Sequence, residues 1–209
     1  MSSVDFKLYL ITDRRQIKNA SLPDRLREVV SLGVKAIQLR EKDLSPVAFF
    51  HLAKEIKEIC KKSQTKLLIN DRVDIARALD LHGVQLTSQS LPAEAARKCL
   101  SSEKLIGVST HSLAEAYLAE NAGCDFILFG PIFQTHSKMK YGPPQGLSVL
   151  SEITTNLQAP IFAVGGIDPE KAKWCLEHGA AGVAVISAVM QAENVEKIIA
   201  DFKKNMGDL

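Results

Sequence analysis

The 209-residue chain is poor in aromatic residues, which make up 6% of it with a single Trp, and it holds only four cysteines. Cys60, Cys99, Cys124 and Cys175 lie far apart, with no C-x-x-C pair and no Cys/His cluster at zinc spacing. That excludes a disulfide framework and a structural zinc site, and predicts reduced thiols in a cytoplasmic protein. No apolar run approaches the roughly 18 residues a membrane helix needs. The opening Met1–Lys7 segment lacks the basic region and apolar stretch expected of a secretory signal. Net charge is also small: 26 Lys and Arg face 24 Asp and Glu, giving +2. With no basic arm and no amphipathic basic helix, neither a nucleic-acid partner nor a membrane surface is expected.

What the chain does have is aliphatic periodicity. Apolar runs of strand length recur at Leu8–Ile11, Ala36–Leu39, Lys66–Ile69, Gly83–Leu86, Leu105–Val108, Phe126–Phe129, Ile161–Val164 and Val183–Ile186. Several are continuously apolar, as strands covered on both faces are. Helix-period segments lie between them at Leu22–Leu32, Pro46–Lys62, Pro92–Leu100, Leu113–Ala122, Pro169–His178 and Val195–Lys204. Ser45-Pro46 and Asp168-Pro169 pair an N-cap with a first-turn proline. Leu32-Gly33, His82-Gly83, Ala122-Gly123 and His178-Gly179 each read as a glycine helix exit before a strand. This alternation predicts an α/β fold, a single (β/α)8 TIM barrel with a parallel eight-stranded sheet, spanning residues 1–209 as one domain. An open doubly wound sheet is the alternative, but Thr12-Asp13-Arg14-Arg15 follows the first strand where a glycine-rich dinucleotide turn would stand.

A barrel places chemistry at the carboxyl ends of its strands. The segments there are Gln38-Leu39-Arg40-Glu41-Lys42-Asp43, Asn70-Asp71-Arg72, Ser109-Thr110-His111, the stretch Pro131–Lys138, Gly165-Gly166-Ile167, and Ser187. Gly165 and Gly166, with Ile186 and Ser187 one unit later, suit a phosphate held by backbone N–H groups. Arg40, Lys42 and Lys138 add cations suited to phosphate or diphosphate oxygens, and Asp71 could hold a Mg2+ that bridges to a diphosphate. Any one such loop reads equally as solvated surface; convergence from several loops favours a site. His111 fits either a proton-transfer role or a plain helix-entry position.

Taken in order, six segments carry a resemblance. They are Gln38–Asp43, Asn70-Asp71-Arg72-Val73-Asp74, Gly107–Ser112, Gly130-Pro131-Ile132-Phe133-x-Thr135-x-Ser137-Lys138, Val164–Ile167 and Val185-Ile186-Ser187. The set resembles the thiamine phosphate synthase and thiazole tautomerase family, from about Leu8 to Val189. The resemblance implies a transferase joining a hydroxymethylpyrimidine diphosphate to a thiazole phosphate, with small phosphorylated pyrimidine and thiazole molecules as partners and Mg2+ as cofactor. It further implies that the C–O bond to diphosphate breaks first and that the thiazole nitrogen captures the resulting carbocation. By carry-over, Gln38, Arg40, Lys42, Asn70 and Lys138 would hold the pyrimidine diphosphate, Ser109 would contact the pyrimidine, and Asp71 would bind Mg2+. Thr135, Ser137, Gly165, Gly166, Ile186 and Ser187 would face the thiazole phosphate. Ser137 replaces the family's usual Thr and keeps the hydroxyl. Ser90 stands where the synthases usually carry a second metal-binding Asp, a poorer ligand for a hard cation. The alternatives are a thiazole phosphate tautomerase using His111, and a non-catalytic barrel that binds a thiamine precursor. A homodimer is left open by the sequence.

Overall fold

A computed structural model describes residues 4–135 and 143–207. Eight parallel strands close in sequence order: β1 (Leu8–Ile11), β2 (Ala36–Leu39), β3 (Lys66–Asn70), β4 (Gly83–Leu86), β5 (Leu105–Thr110), β6 (Phe126–Phe129), β7 (Ile161–Val164) and β8 (Gly182–Val185). Tyr9 of β1 pairs in register with Ala36 of β2 on one side and Ala184 of β8 on the other, which completes the ring. The helices are α1 (Leu22–Ser31), α2 (Pro46–Lys61), α3 (Val73–Ala78), α4 (Ala93–Cys99), α5 (Leu113–Asn121), α6 (Gly146–Asn156), α7 (Pro169–Glu177), α8 (Ser187–Met190) and α9 (Val195–Met206). The (β/α)8 expectation is met.

Strand geometry explains why the runs are apolar throughout. Successive side chains alternate between the barrel interior and the helix layer, and neither environment is wet. Leu8 and Leu10 pack with the helices, whereas Tyr9 and Ile11 join the interior cluster. The scarce aromatics are concentrated there: Phe6, Tyr9, Phe126 and Phe162 are 0–3% exposed, with ring centroids 5.1–6.4 Å apart. Glycine makes the room they need. A Cβ on Gly107 would stand 2.4 Å from the Phe126 ring.

Helix entries follow the caps read from the sequence, since the Ser45 hydroxyl accepts from the Ala48 N–H and the Asp168 carboxylate from the Lys171 N–H. Three of the four glycine exits also hold: Gly33, Gly123 and Gly179 are left-handed at φ 83°, 76° and 88°. The fourth does not. Gly83 is a β4 residue, and Asp80 (φ 48°) takes the left-handed turn after α3 instead. Gly83 serves close packing, because a Cβ there would meet the Leu105 carbonyl oxygen at 2.1 Å. β5 is longer than its apolar run because Ser109 and Thr110 stay in register with Leu128 and Phe129 of β6. Helices α3, α6 and α8 were not expected; α3 and α8 are too short to show a helical period.

Among the described residues no helix is long and apolar enough to cross a membrane. All four cysteines are free thiols, and burial pushes those of Cys60, Cys124 and Cys175 up to about 12, too high for thiolate chemistry at neutral pH.

Candidate active site

The carboxyl-terminal rim divides into two halves built by different means. On β2 to β5, interior positions that are apolar elsewhere become polar: Gln38, Asn70, Gln85 and Ser109. Register sets Asn70 beside Gln85, and hydrogen bonds link the outer pairs: the Gln38 amide donates to Asn70 Oδ1 at 3.2 Å, and the Gln85 amide to Ser109 Oγ at 3.1 Å. Gln38 and Gln85 are 2% and 0% exposed, yet the Oε1 of each has no hydrogen-bond partner among the described residues. A buried acceptor left unpaired costs about 1–3 kcal/mol. Gln85 Oε1 is turned inward, where a Cβ on Gly107 would meet it at 2.4 Å, so Gln38 is the one of the two that favours a ligand bringing an N–H or O–H donor.

Gln85 was missed as a site residue. Its signal was available, because Ala-Ile-Gln-Leu of β2 and Gly-Val-Gln-Leu of β4 place a glutamine at the same interior position.

Immediately beyond the strands, Arg40 and Lys42 follow β2 on a loop whose Arg40 N–H donates to Thr12 Oγ1 at 2.9 Å. Asp71 follows β3 in a left-handed conformation at φ 67°, exposed, with its own N–H donated to the Gln85 carbonyl at 2.9 Å. The Asp71 carboxylate has no hydrogen-bond partner among the described residues.

Ser90 lies in the next loop but is turned to local work. Its hydroxyl accepts from the Thr87 N–H at 2.8 Å and bonds Thr87 Oγ1 at 3.1 Å. No cluster of three or more acidic, His or Cys side chains able to hold a metal occurs among the described residues. A Mg2+ ion needs no such cluster, since one or two carboxylates with substrate phosphate and water oxygens satisfy it. One exposed, unpaired carboxylate beside a cationic loop fits that donor set.

The other half of the rim is backbone. Gly165 and Gly166 follow β7 at φ 101° and 67°. The loop after β6 lies against them: Phe133 donates its N–H to the Gly165 carbonyl at 3.1 Å, and a Cβ on Gly166 would stand 2.6 Å from the Gln134 carbonyl oxygen. Only glycine permits both that conformation and that approach. Thr135 is thereby carried to the glycine side. Phe133 is pinned between Trp174, at 6.3 Å between centroids, and the Lys171 ammonium at 5.5 Å, so Trp174 anchors a loop. Ile186 and Ser187 form the entry to α8, the short extra helix after β8. Its first intrahelical bonds run from Val189 and Met190 to the Ile186 carbonyl, so the preceding N–H groups have no intrahelical acceptor.

His111 joins the halves. Its Nδ1 donates to the Gly130 carbonyl, so that Nε2 is the acceptor whenever the ring is neutral, and its backbone N–H donates to Glu115 at 2.7 Å. Ser137 and Lys138 lie outside the described residues.

The thiamine monophosphate synthase family matches residues 8–189. A thiamine-phosphate synthase from Clostridium novyi (strain NT) is 40% identical over 193 residues, covering 92% of this chain and 95% of the relative. One from Syntrophomonas wolfei is 39% identical over 196 residues, covering 94% of each. Among solved structures, a thiamine phosphate pyrophosphorylase from Pyrococcus furiosus superposes with a TM-score of 0.86 at 35% identity, covering 95% of this chain and 94% of that one. Sequence and fold agree: the chain belongs to the thiamine monophosphate synthase family.

Proposed function

We propose that this protein is a thiamine-phosphate synthase, a transferase that joins a hydroxymethylpyrimidine diphosphate to a thiazole phosphate and releases pyrophosphate. The observation that carries this reading is the pairing of a buried side-chain arc on β2–β5 with a glycine rim after β7 at one barrel mouth, which suits two different phosphorylated ligands. The Gln38 acceptor suits a ring bearing an amino group, and the backbone of Gly165, Gly166, Ile186 and Ser187 suits a phosphate monoester. Thr135 and Ser137 would add hydroxyl donors to that phosphate.

In this reading the C–O bond between the pyrimidine methylene and the diphosphate breaks, and the electron pair leaves with pyrophosphate. The thiazole nitrogen then supplies its lone pair to the methylene carbon, forming the C–N bond. Arg40, Lys42 and Lys138 hold the diphosphate and stabilise the charge that develops on it, which is the main electrostatic demand of the step. Asn70 and Gln38 orient the pyrimidine, and Ser109, itself held by Gln85, contacts the ring. His111, with its Nδ1 engaged, can accept a hydrogen bond or a proton at Nε2. Asp71 would hold Mg2+, which when bound supplies further neutralisation of the diphosphate.

The test is direct. Purified protein with Mg2+ and both substrates is expected to yield thiamine phosphate and pyrophosphate in equal amounts. No product at saturating Mg2+ and substrate would overturn the reading.

A further inference from the structure

The Thr12-Asp13-Arg14 segment after β1 touches the site through Thr12, which accepts the Arg40 N–H. Its contacts are directed at the cationic loop. That loop, Arg40-Glu41-Lys42-Asp43, alternates in sign, and neighbouring Cα atoms are only about 3.8 Å apart. Left to themselves, its two carboxylates would offset the two cations beside them.

Both carboxylates are taken up instead. Glu41 is buried, with its side chain 1% exposed. It accepts from the Thr12 hydroxyl at 2.7 Å, from the Arg14 N–H at 3.2 Å to each oxygen, and from Arg14 Nη1 at 3.0 Å. The same guanidinium holds Asp43 through two bonds of 2.8 Å. Thr12 closes the arrangement by accepting the Arg40 N–H. A planar fork can serve two carboxylates in fixed directions, whereas an ammonium cannot. The Arg14 guanidinium also holds the Asp43 carboxyl below its ordinary range.

We propose that Arg14 is a positioning residue for the diphosphate half-site: it binds Glu41 and Asp43 together, so that the loop carrying Arg40 and Lys42 presents net positive charge to an anion. The inference rests on the reading of that loop as the diphosphate ligand. It predicts an effect confined to one substrate. Arg14→Met should weaken binding of inorganic pyrophosphate with Mg2+, and raise KM for the pyrimidine diphosphate, by about tenfold, because one or two carboxylates are set loose beside the anion. KM for the thiazole phosphate should stay within about twofold. Arg14→Met combined with Glu41→Gln should recover part of the pyrophosphate affinity, since the neutral amide can still accept from Thr12 and only Asp43 then remains to repel the ligand. Arg14→Lys keeps the charge and loses the fork, and should cost about threefold.

Calorimetry with inorganic pyrophosphate and steady-state kinetics read these outcomes. Equal rises in both KM values, or no recovery in the double variant, would make Arg14 a plain structural brace and overturn the proposal. If Arg14→Met does not fold, Arg14→Lys decides, and an unchanged pyrophosphate affinity overturns it. Wild-type protein that binds pyrophosphate in an Arg14-dependent way but makes no thiamine phosphate would sink the synthase reading and leave this one standing. Wild-type protein that does not bind pyrophosphate overturns both.

Discussion

The two halves of the barrel mouth are built from different materials. On β2–β5 the groups are side chains: two buried glutamines, an asparagine, a serine and the cations beyond them. After β7 and β8 they are main-chain groups, exposed because Gly165 and Gly166 lack a Cβ and adopt left-handed angles of 101° and 67°. A side chain can be retuned by substitution, because its neighbours tolerate small changes of shape. A backbone cradle has no such latitude. A Cβ on Gly165 would lie 2.6 Å from the Pro131 ring and one on Gly166 2.6 Å from a carbonyl oxygen, so the loop must move before any side chain fits.

That contrast can be broken or sharpened by experiment. The largest effect is expected from Asp71→Asn, which keeps shape and removes the charge proposed to hold Mg2+. The rate at fixed Mg2+ should fall by about a hundredfold or more, read by initial rates across a Mg2+ titration, with thermal stability unchanged.

Gly166→Ala tests the backbone half. The strain should cost about 1–3 kcal/mol of stability and misplace the loop enough to raise KM for thiazole phosphate by about tenfold. KM for the pyrimidine diphosphate should hold, and equal changes in both would erase the division of labour. Ser109→Ala removes the acceptor of the buried Gln85 amide. A loss of kcat/KM of about threefold to tenfold is expected, together with a lower melting temperature by scanning calorimetry.

The smallest effect belongs to Ser90→Asp. An Asp oxygen can replace the hydroxyl as acceptor of the Thr87 N–H and would add a carboxylate to the proposed Mg2+ site. The Mg2+ concentration for half-maximal rate should drop by about threefold. An unchanged titration would mean that this loop does not face the metal.

The sequence showed most of the barrel and named many residues of the candidate site, for one physical reason. Strand interiors are dry on both faces, so β1 to β8 announce themselves as aliphatic runs, and the eightfold order follows from their number. Residues proposed to work through chemistry, such as Arg40, Asp71 and His111, are also visible as letters at strand ends. What stayed hidden depends on distance. The match of Gln85 to Gln38 was legible in the strand sequences, but nothing local reveals that its oxygen is unpaired. Asp80 takes the turn expected of Gly83 because α3, too short to show a helical period, ends at Ala78 and the chain reverses before Gly83 enters β4. Arg14 reads as an ordinary surface charge until Glu41 and Asp43, 27 and 29 positions away, are seen on its guanidinium. Helix α8 is four residues long, too short for any periodicity.

The aromatic cluster below the mouth has one more consequence. With Phe6, Tyr9, Phe126 and Phe162 packed ring against ring and almost wholly inaccessible to solvent, the barrel is a vessel stoppered at its base. Traffic is therefore one-ended. Under the proposed reaction two substrates arrive, and two products depart, through a single doorway, so whichever ligand sits nearer the floor must enter first and leave last.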